Sequence, residues 1–153
     1  MHAGIARGRA ALEPPARHHQ LAPAGGHRRY FYADVLVKRP SDAAKIEQLR
    51  QLCLSLPEVT EKLSHGEPSW FVAGKQFVTT ADHHHDDRLS AWCAAPEGAQ
   101  EMLVKANPER FFRPPYVGHR GWLGVYLDVE VDWGEVAIIV ERAYRRVAPR
   151  RLL

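Results

Sequence analysis

The chemistry-bearing residues of this 153-residue chain gather in two places. The first is the run Asp82-His83-His84-His85-Asp86-Asp87. Imidazole and carboxylate groups are good ligands for zinc, nickel or copper. A metal site needs three or four ligands converging on one point from a rigid frame, and consecutive residues of a loop rarely converge. No cysteine and no distant histidine stands ready to join them. The run therefore reads as a solvated hairpin loop with adventitious affinity for metals, and zinc is expected to leave thermal unfolding unchanged. His2, His18, His19 and His27 lie in a low-complexity stretch and carry less information.

The second place is His119, between Gly118 and Arg120. An imidazole titrates near neutral pH and can act as a general acid or base, with Asp128 or Glu67 as an orienting carboxylate. The competing reading is structural: His119 and Arg120 hydrogen-bond the loops around Pro114-Pro115. No serine or cysteine stands in a nucleophile elbow. The string Val117-Gly118-His119-Arg120-Gly121 precedes a strand, whereas a phosphate loop needs a helix N-terminus behind it. No catalytic residue and no cofactor is assigned, and no metal. Cys53 and Cys93 have neither metal spacing nor enough partners for a disulfide framework. They read as small core residues in a reducing compartment.

The elements that must position these residues follow from periodicity and punctuation. Pro40, Ser41 and Asp42 open a helix. Ile46, Leu49, Cys53 and Leu56 give it an apolar face before Pro57 stops it. Ser69 to Val72 and Gln76 to Ala81 form a hairpin around Ala73-Gly74-Lys75. Arg88 to Ala94 is a third strand and Pro96 to Ala106 a second helix. Arg110 to Val117 is a short strand broken by prolines, suited to an edge, and Gly121 to Asp128 a fifth. Asp132 caps the last helix, with Glu135 as capping-box partner. Val136, Ile139, Val140, Ala143 and Val147 face its core, and Pro149 ends it. The order α-β-β-β-α-β-β-α implies an α+β, two-layer fold: a five-stranded antiparallel sheet with helices on one face.

Alternate residues of a strand point to opposite faces. Leu123, Val125 and Leu127 then share one face of the last strand, and Leu89, Ala91 and Cys93 one face of the third. The other face would gather Trp92, Trp122 and Tyr126 with Arg88 and Arg120, and Trp70 is placed with them. Aromatic rings interleaved with guanidinium groups can stack bases or planar ligands. They are also enriched at protein interfaces. Tryptophan is buried on average, so the same rings can equally belong to the interior. The candidate binding set is therefore Trp70, Arg88, Trp92, His119, Arg120, Trp122 and Tyr126.

Composition sets the outer bounds. With 45% hydrophobic and 25% charged residues the chain has an ordinary globular composition, and no apolar run approaches the roughly 18 residues of a spanning helix. Residues 1–39 hold seven Lys/Arg and two Asp/Glu, a charge of +5. Residues 40–153 hold fourteen and sixteen, a charge of −2, which gives the whole-chain +3. The N-terminal stretch, 1–39, reads as a basic low-complexity tail, disordered over most of residues 1–29. It has no apolar segment of the secretory type, so a cytoplasmic location is expected. Residues 40–153 form the domain.

Several strings in that domain resemble the MmcQ/YjbR family of small bacterial proteins. They are Leu56-Pro57-Glu58-Val59-Thr60-Glu61, His65-Gly66-Glu67-Pro68, Gly74-Lys75-Gln76-Phe77, Pro114-Pro115-Tyr116-Val117-Gly118-His119-Arg120-Gly121-Trp122 and Leu127-Asp128. Their order and spacing, spread over Ile46 to Val147, carry the resemblance. It implies a two-layer fold similar to secretion chaperones and the DNA-binding label that the family commonly bears, with no established reaction. The function expected is thus a small non-enzymatic binding protein, a DNA-binding or regulatory module. The alternatives are a protein- or small-ligand-binding module that uses the aromatic sheet face, and an enzyme centred on His119. No membrane partner is expected, and the sequence leaves the oligomeric state open.

Overall fold

The computed structural model describes residues 40–84 and 86–153. The expected tail over residues 1–39, and His85, lie outside them. The described residues form α1 (Pro40–Leu54), β1 (Val59–Ser64), β2 (Glu67–Val72), β3 (Lys75–Asp82), β4 (Leu89–Cys93), α2 (Ala99–Ala106), β5 (Phe111–Phe112), β6 (Leu123–Tyr126) and α3 (Trp133–Val147). Short 3-10 turns cover Gly118–Arg120 and Arg150–Leu152. The strands make one sheet in the order β1-β2-β3-β4-β6-β5, antiparallel at every pairing.

The α+β class and the antiparallel sheet match the expectation, but the sheet has six strands and not five. The additional strand is β1. Its sequence Val-Thr-Glu-Lys-Leu-Ser lacks a sustained apolar alternation, and Lys62 and Leu63 are exposed. As an edge strand it needs one paired side only, and the ladder from Val59↔Val72 to Ser64↔Glu67 provides it. Charged side chains on such an edge also discourage pairing with another chain.

Two tight turns fix the register of β1, β2 and β3. His65 and Gly66 join the first pair at φ 54° and 81°, and Ala73 and Gly74 the second at φ 51° and 78°. Two consecutive positive φ values match the right-handed strand twist, and glycine reaches them without a Cβ clash.

α1 buries Ile46, Leu49 and Cys53 on its expected face. α3 buries Val136, Ile139, Val140, Ala143 and Tyr144. Each such aliphatic or aromatic side chain removed from water stabilises the fold by about 1.5–3 kcal/mol before chain entropy is counted. The Tyr144 ring stands edge-on to Phe77 of β3 at 5.7 Å, and its hydroxyl donates to the Pro57 carbonyl at 2.8 Å. Asp132 caps α3 by accepting the Glu135 N–H at 3.1 Å. The reciprocal half of the expected capping box is replaced, because the Glu135 carboxylate pairs with Arg110. The expected strand Arg110 to Val117 shrinks to β5, since Pro114 and Pro115 offer no N–H to a ladder.

Candidate functional site

The sheet places the expected aromatic set differently from strand parity alone. Trp70 pairs with Val78, Val78 with Cys93, and Cys93 with Leu123. Trp70 therefore belongs to the aliphatic face, opposite to Trp92, whose cross-strand partners are Thr79 and Gly124. The Trp70 indole N–H donates to Glu61 at 3.0 Å, and Arg50 of α1 holds the same carboxylate at 2.8 Å. Exposure is 0% for Trp70, 9% for Trp92 and 5% for Trp122. The open face that ring stacking would need is absent at all three tryptophans. All five residues of β4 are buried, so the sheet is covered on both sides there and its parity does not separate core from surface.

Phe112 shows how the second face closes. It pairs with Gly124, where an added Cβ would meet its ring atoms at 2.4–2.5 Å. The same ring stacks on Tyr126 with centroids 4.5 Å apart. Arg88 lies over the Tyr126 ring at 3.4 Å and donates twice to Asp128, at 2.9 and 2.8 Å. That pair holds the Asp128 carboxyl below its ordinary range. Arg88 and Tyr126 are thus brought together as expected, but each already has partners within the fold.

His119 and Arg120 sit elsewhere, exposed in the Gly118–Arg120 turn. They line a depression of about 400 Å³ together with Arg113, Arg146 and the N-terminal turn of α2. Gly118 makes this wall feasible, because an added Cβ would lie 2.6 Å from the Arg113 Cγ. Gln100, 3% exposed, clamps the wall by donating to the carbonyls of Gly118 at 2.9 Å and Trp122 at 2.6 Å. The Arg120 guanidinium hangs 5.6 Å from the Trp122 ring.

Charge distinguishes this depression. Arg50, Arg88, Arg110 and Arg151 all bind carboxylates. Arg113, Arg120 and Arg146 form no ion pair among the described residues, although Glu97 and Glu101 share the wall. Three uncompensated guanidinium groups beside the positive end of a helix dipole make a locus for anions. Sequence reasoning found His119 and Arg120 there and missed Arg113. Arg146 is not in the expected binding set, because nothing in the chain order joins α3 to the Gly118 turn.

Neither carboxylate proposed as a partner for His119 reaches it: Asp128 bonds Arg88, and Glu67 accepts from Thr80 and from the Asp82 N–H. Cys53 and Cys93 are buried. Burial pushes both thiols well up, Cys93 to about 12. Both stay protonated at neutral pH and unreactive as nucleophiles, in keeping with a core role. No helix among the described residues is long and apolar enough to cross a membrane.

The chain has a known relative in structure. The crystal structure of Deinococcus radiodurans protein DR2400, a DUF419 domain, matches it with a TM-score of 0.60 at 18% identity, over 71% of this chain and 81% of that one. At this identity the likeness speaks for the fold alone. No curated protein matches the chain. The YjbR family does match, over residues 54–146, which span β1 to α3 and every residue of the arginine-lined depression. The chain therefore belongs to the YjbR family.

Proposed function

We propose that this YjbR-family protein is a non-enzymatic binding module, and that the depression lined by Arg113, Arg120 and Arg146 holds phosphate groups of DNA. One observation carries the reading: three arginines from separate segments line one concavity, and none of them pairs with a carboxylate among the described residues. Guanidinium groups match phosphate geometry in a bidentate fashion. His119 on the same wall adds a donor at its rim. The non-enzymatic part rests on the burial of both thiols and on there being no carboxylate bonded to His119 among the described residues. The aromatic sheet face has no part in the proposal, since its tryptophans lie in the core.

A second reading is favoured by the shape. A volume of about 400 Å³ falls within the range of small-molecule sites, and Glu97 and Glu101 repel a continuous phosphate backbone more than a small anion with its own donors. The two readings separate in one experiment on the full-length chain. Fluorescence anisotropy with a duplex oligonucleotide is followed from low to high salt. Each lost phosphate contact should flatten the log–log salt slope by about 0.9, so Arg120→Ala and Arg146→Ala should each reduce it by close to one. An unchanged slope in both variants refutes the DNA reading. Saturable binding of inorganic phosphate or a nucleoside monophosphate that both variants abolish, without any duplex binding at this site, establishes the small-anion reading instead.

A further inference from the structure

The histidine run after β3 was set aside because adjacent loop residues do not converge and no distant ligand was in reach. The fold removes both objections. Asp42, in the first turn of α1, lies 40 residues before Asp82 in the chain, yet Asp42, Asp82 and His83 each bring one potential ligand atom within 4.8 Å of the others. We propose that these three side chains form a binding site for a single divalent transition-metal ion of the zinc type.

The chemistry of the set selects the class of ion. One imidazole nitrogen and two carboxylate oxygens form a borderline donor set. It suits zinc, and cobalt or manganese less tightly in the usual order of divalent affinities. Calcium and magnesium prefer all-oxygen shells. A zinc ion bonds such atoms tetrahedrally at about 2.0–2.2 Å, so any two of its ligand atoms stand about 3.4 Å apart. The three atoms, within 4.8 Å of one another, draw in by up to about 1.4 Å to meet that geometry. Three protein ligands leave coordination positions for water, the open arrangement of zinc sites that are not purely structural.

Asp42 comes from a helix and not from the loop, and it is 7% exposed. The frame around the loop ligands adds a second feature. Glu67, also 7% exposed, accepts from the Thr80 hydroxyl at 2.8 Å, from the Asp82 N–H at 3.1 Å and pairs with the His84 ring at 2.9 Å. This single carboxylate fixes the backbone of one ligand and the side chain next to another. Outer partners of this kind hold metal ligands in place. His83 takes φ 61°, and its Nδ1 lies 2.6 Å from the Asp82 Oδ1, a contact that the ion would replace. The ion would tie the start of α1 to the end of β3.

The test uses the full-length protein stripped with EDTA and titrated with zinc chloride by calorimetry. One ion per chain should bind in a saturable step. Asp42→Asn should weaken that step at least ten-fold, although Asp42 lies far from every histidine in sequence. His83→Gly should weaken it as much. Glycine accepts the positive φ without strain, so this variant keeps the test valid should Asp42→Asn fold poorly. Zinc should also raise the melting temperature of the parent and not that of His83→Gly. Replacing His18 and His19 by alanine should change nothing. Binding that survives both Asp42→Asn and His83→Gly would belong to the histidine-rich loop or tail and would overturn the proposal, as would the absence of a saturable step.

Discussion

Gly124→Ala is the sharpest probe of how the second sheet face is closed. The new Cβ would lie 2.4–2.5 Å from three atoms of the Phe112 ring, whereas carbon atoms settle at about 3.5–4.0 Å. The ring must retreat by roughly 1 Å. Forced repacking of this size costs about 1–3 kcal/mol. The retreat also breaks the Phe112–Tyr126 stack, whose centroids are 4.5 Å apart and which contributes about 0.5–1.5 kcal/mol. Against this, alanine is better than glycine in a strand by about 0.5–1 kcal/mol. A net loss of about 2 kcal/mol follows, read as a fall of about 1 M in the urea midpoint at unchanged slope. Intrinsic fluorescence from the buried tryptophans is a convenient probe. The reasoning is specific enough for a double-mutant cycle. In a Phe112→Ala background the same change should become neutral or stabilising. Equal costs of Gly124→Ala in both backgrounds would refute the account, as would a single-mutant cost under about 0.5 kcal/mol.

Trp122→Ala should lower stability by about 3–5 kcal/mol, the cost of emptying a core tryptophan site; weakened ligand binding at unchanged stability would show instead that the ring is a contact surface. Asp128→Asn should cost about 0.5–1 kcal/mol at pH 7, a modest figure because both partners of the Arg88 pair are about one-third exposed. The Arg88 hydrogen bonds depress the Asp128 carboxyl below its ordinary 3.8, so the stabilisation is fully present above that value and is lost as pH falls through the lower folded value. The gap between parent and Asp128→Asn in urea midpoint should accordingly shrink from pH 5 to pH 2, and a gap that stays constant would remove Asp128 from the account of acid sensitivity.

The sequence makes local arrangements legible and hides those assembled from distant segments. His119 and Arg120 were legible because a turn bracketed by Gly118 and Gly121 before a strand exposes its side chains. Arg113 was not, since its role depends on lying across Gly118, five residues on, at a close approach that only the folded turn creates. Strand parity assigned Trp92 and Trp122 to an open face. Parity gives two faces but does not tell whether the second is covered, and here Phe112 from an edge strand of two residues lies on it.

The sequence by itself determined the class of the fold. Helical spacing of Ile46, Leu49 and Cys53 and of Val136, Ile139, Val140 and Ala143, and the Ala73-Gly74 turn, are short-range facts that burial and backbone sterics enforce whatever the rest of the chain does. It could not reveal β1, whose polar pattern is stabilised by the β2 ladder and not by its own apolar face. Nor could it bring Asp42 to Asp82 and His83, or Arg146 to Arg113 and Arg120. Those meetings depend on how α1 and α3 lie against the sheet, and that placement is set by the shape of a core to which distant segments contribute at once.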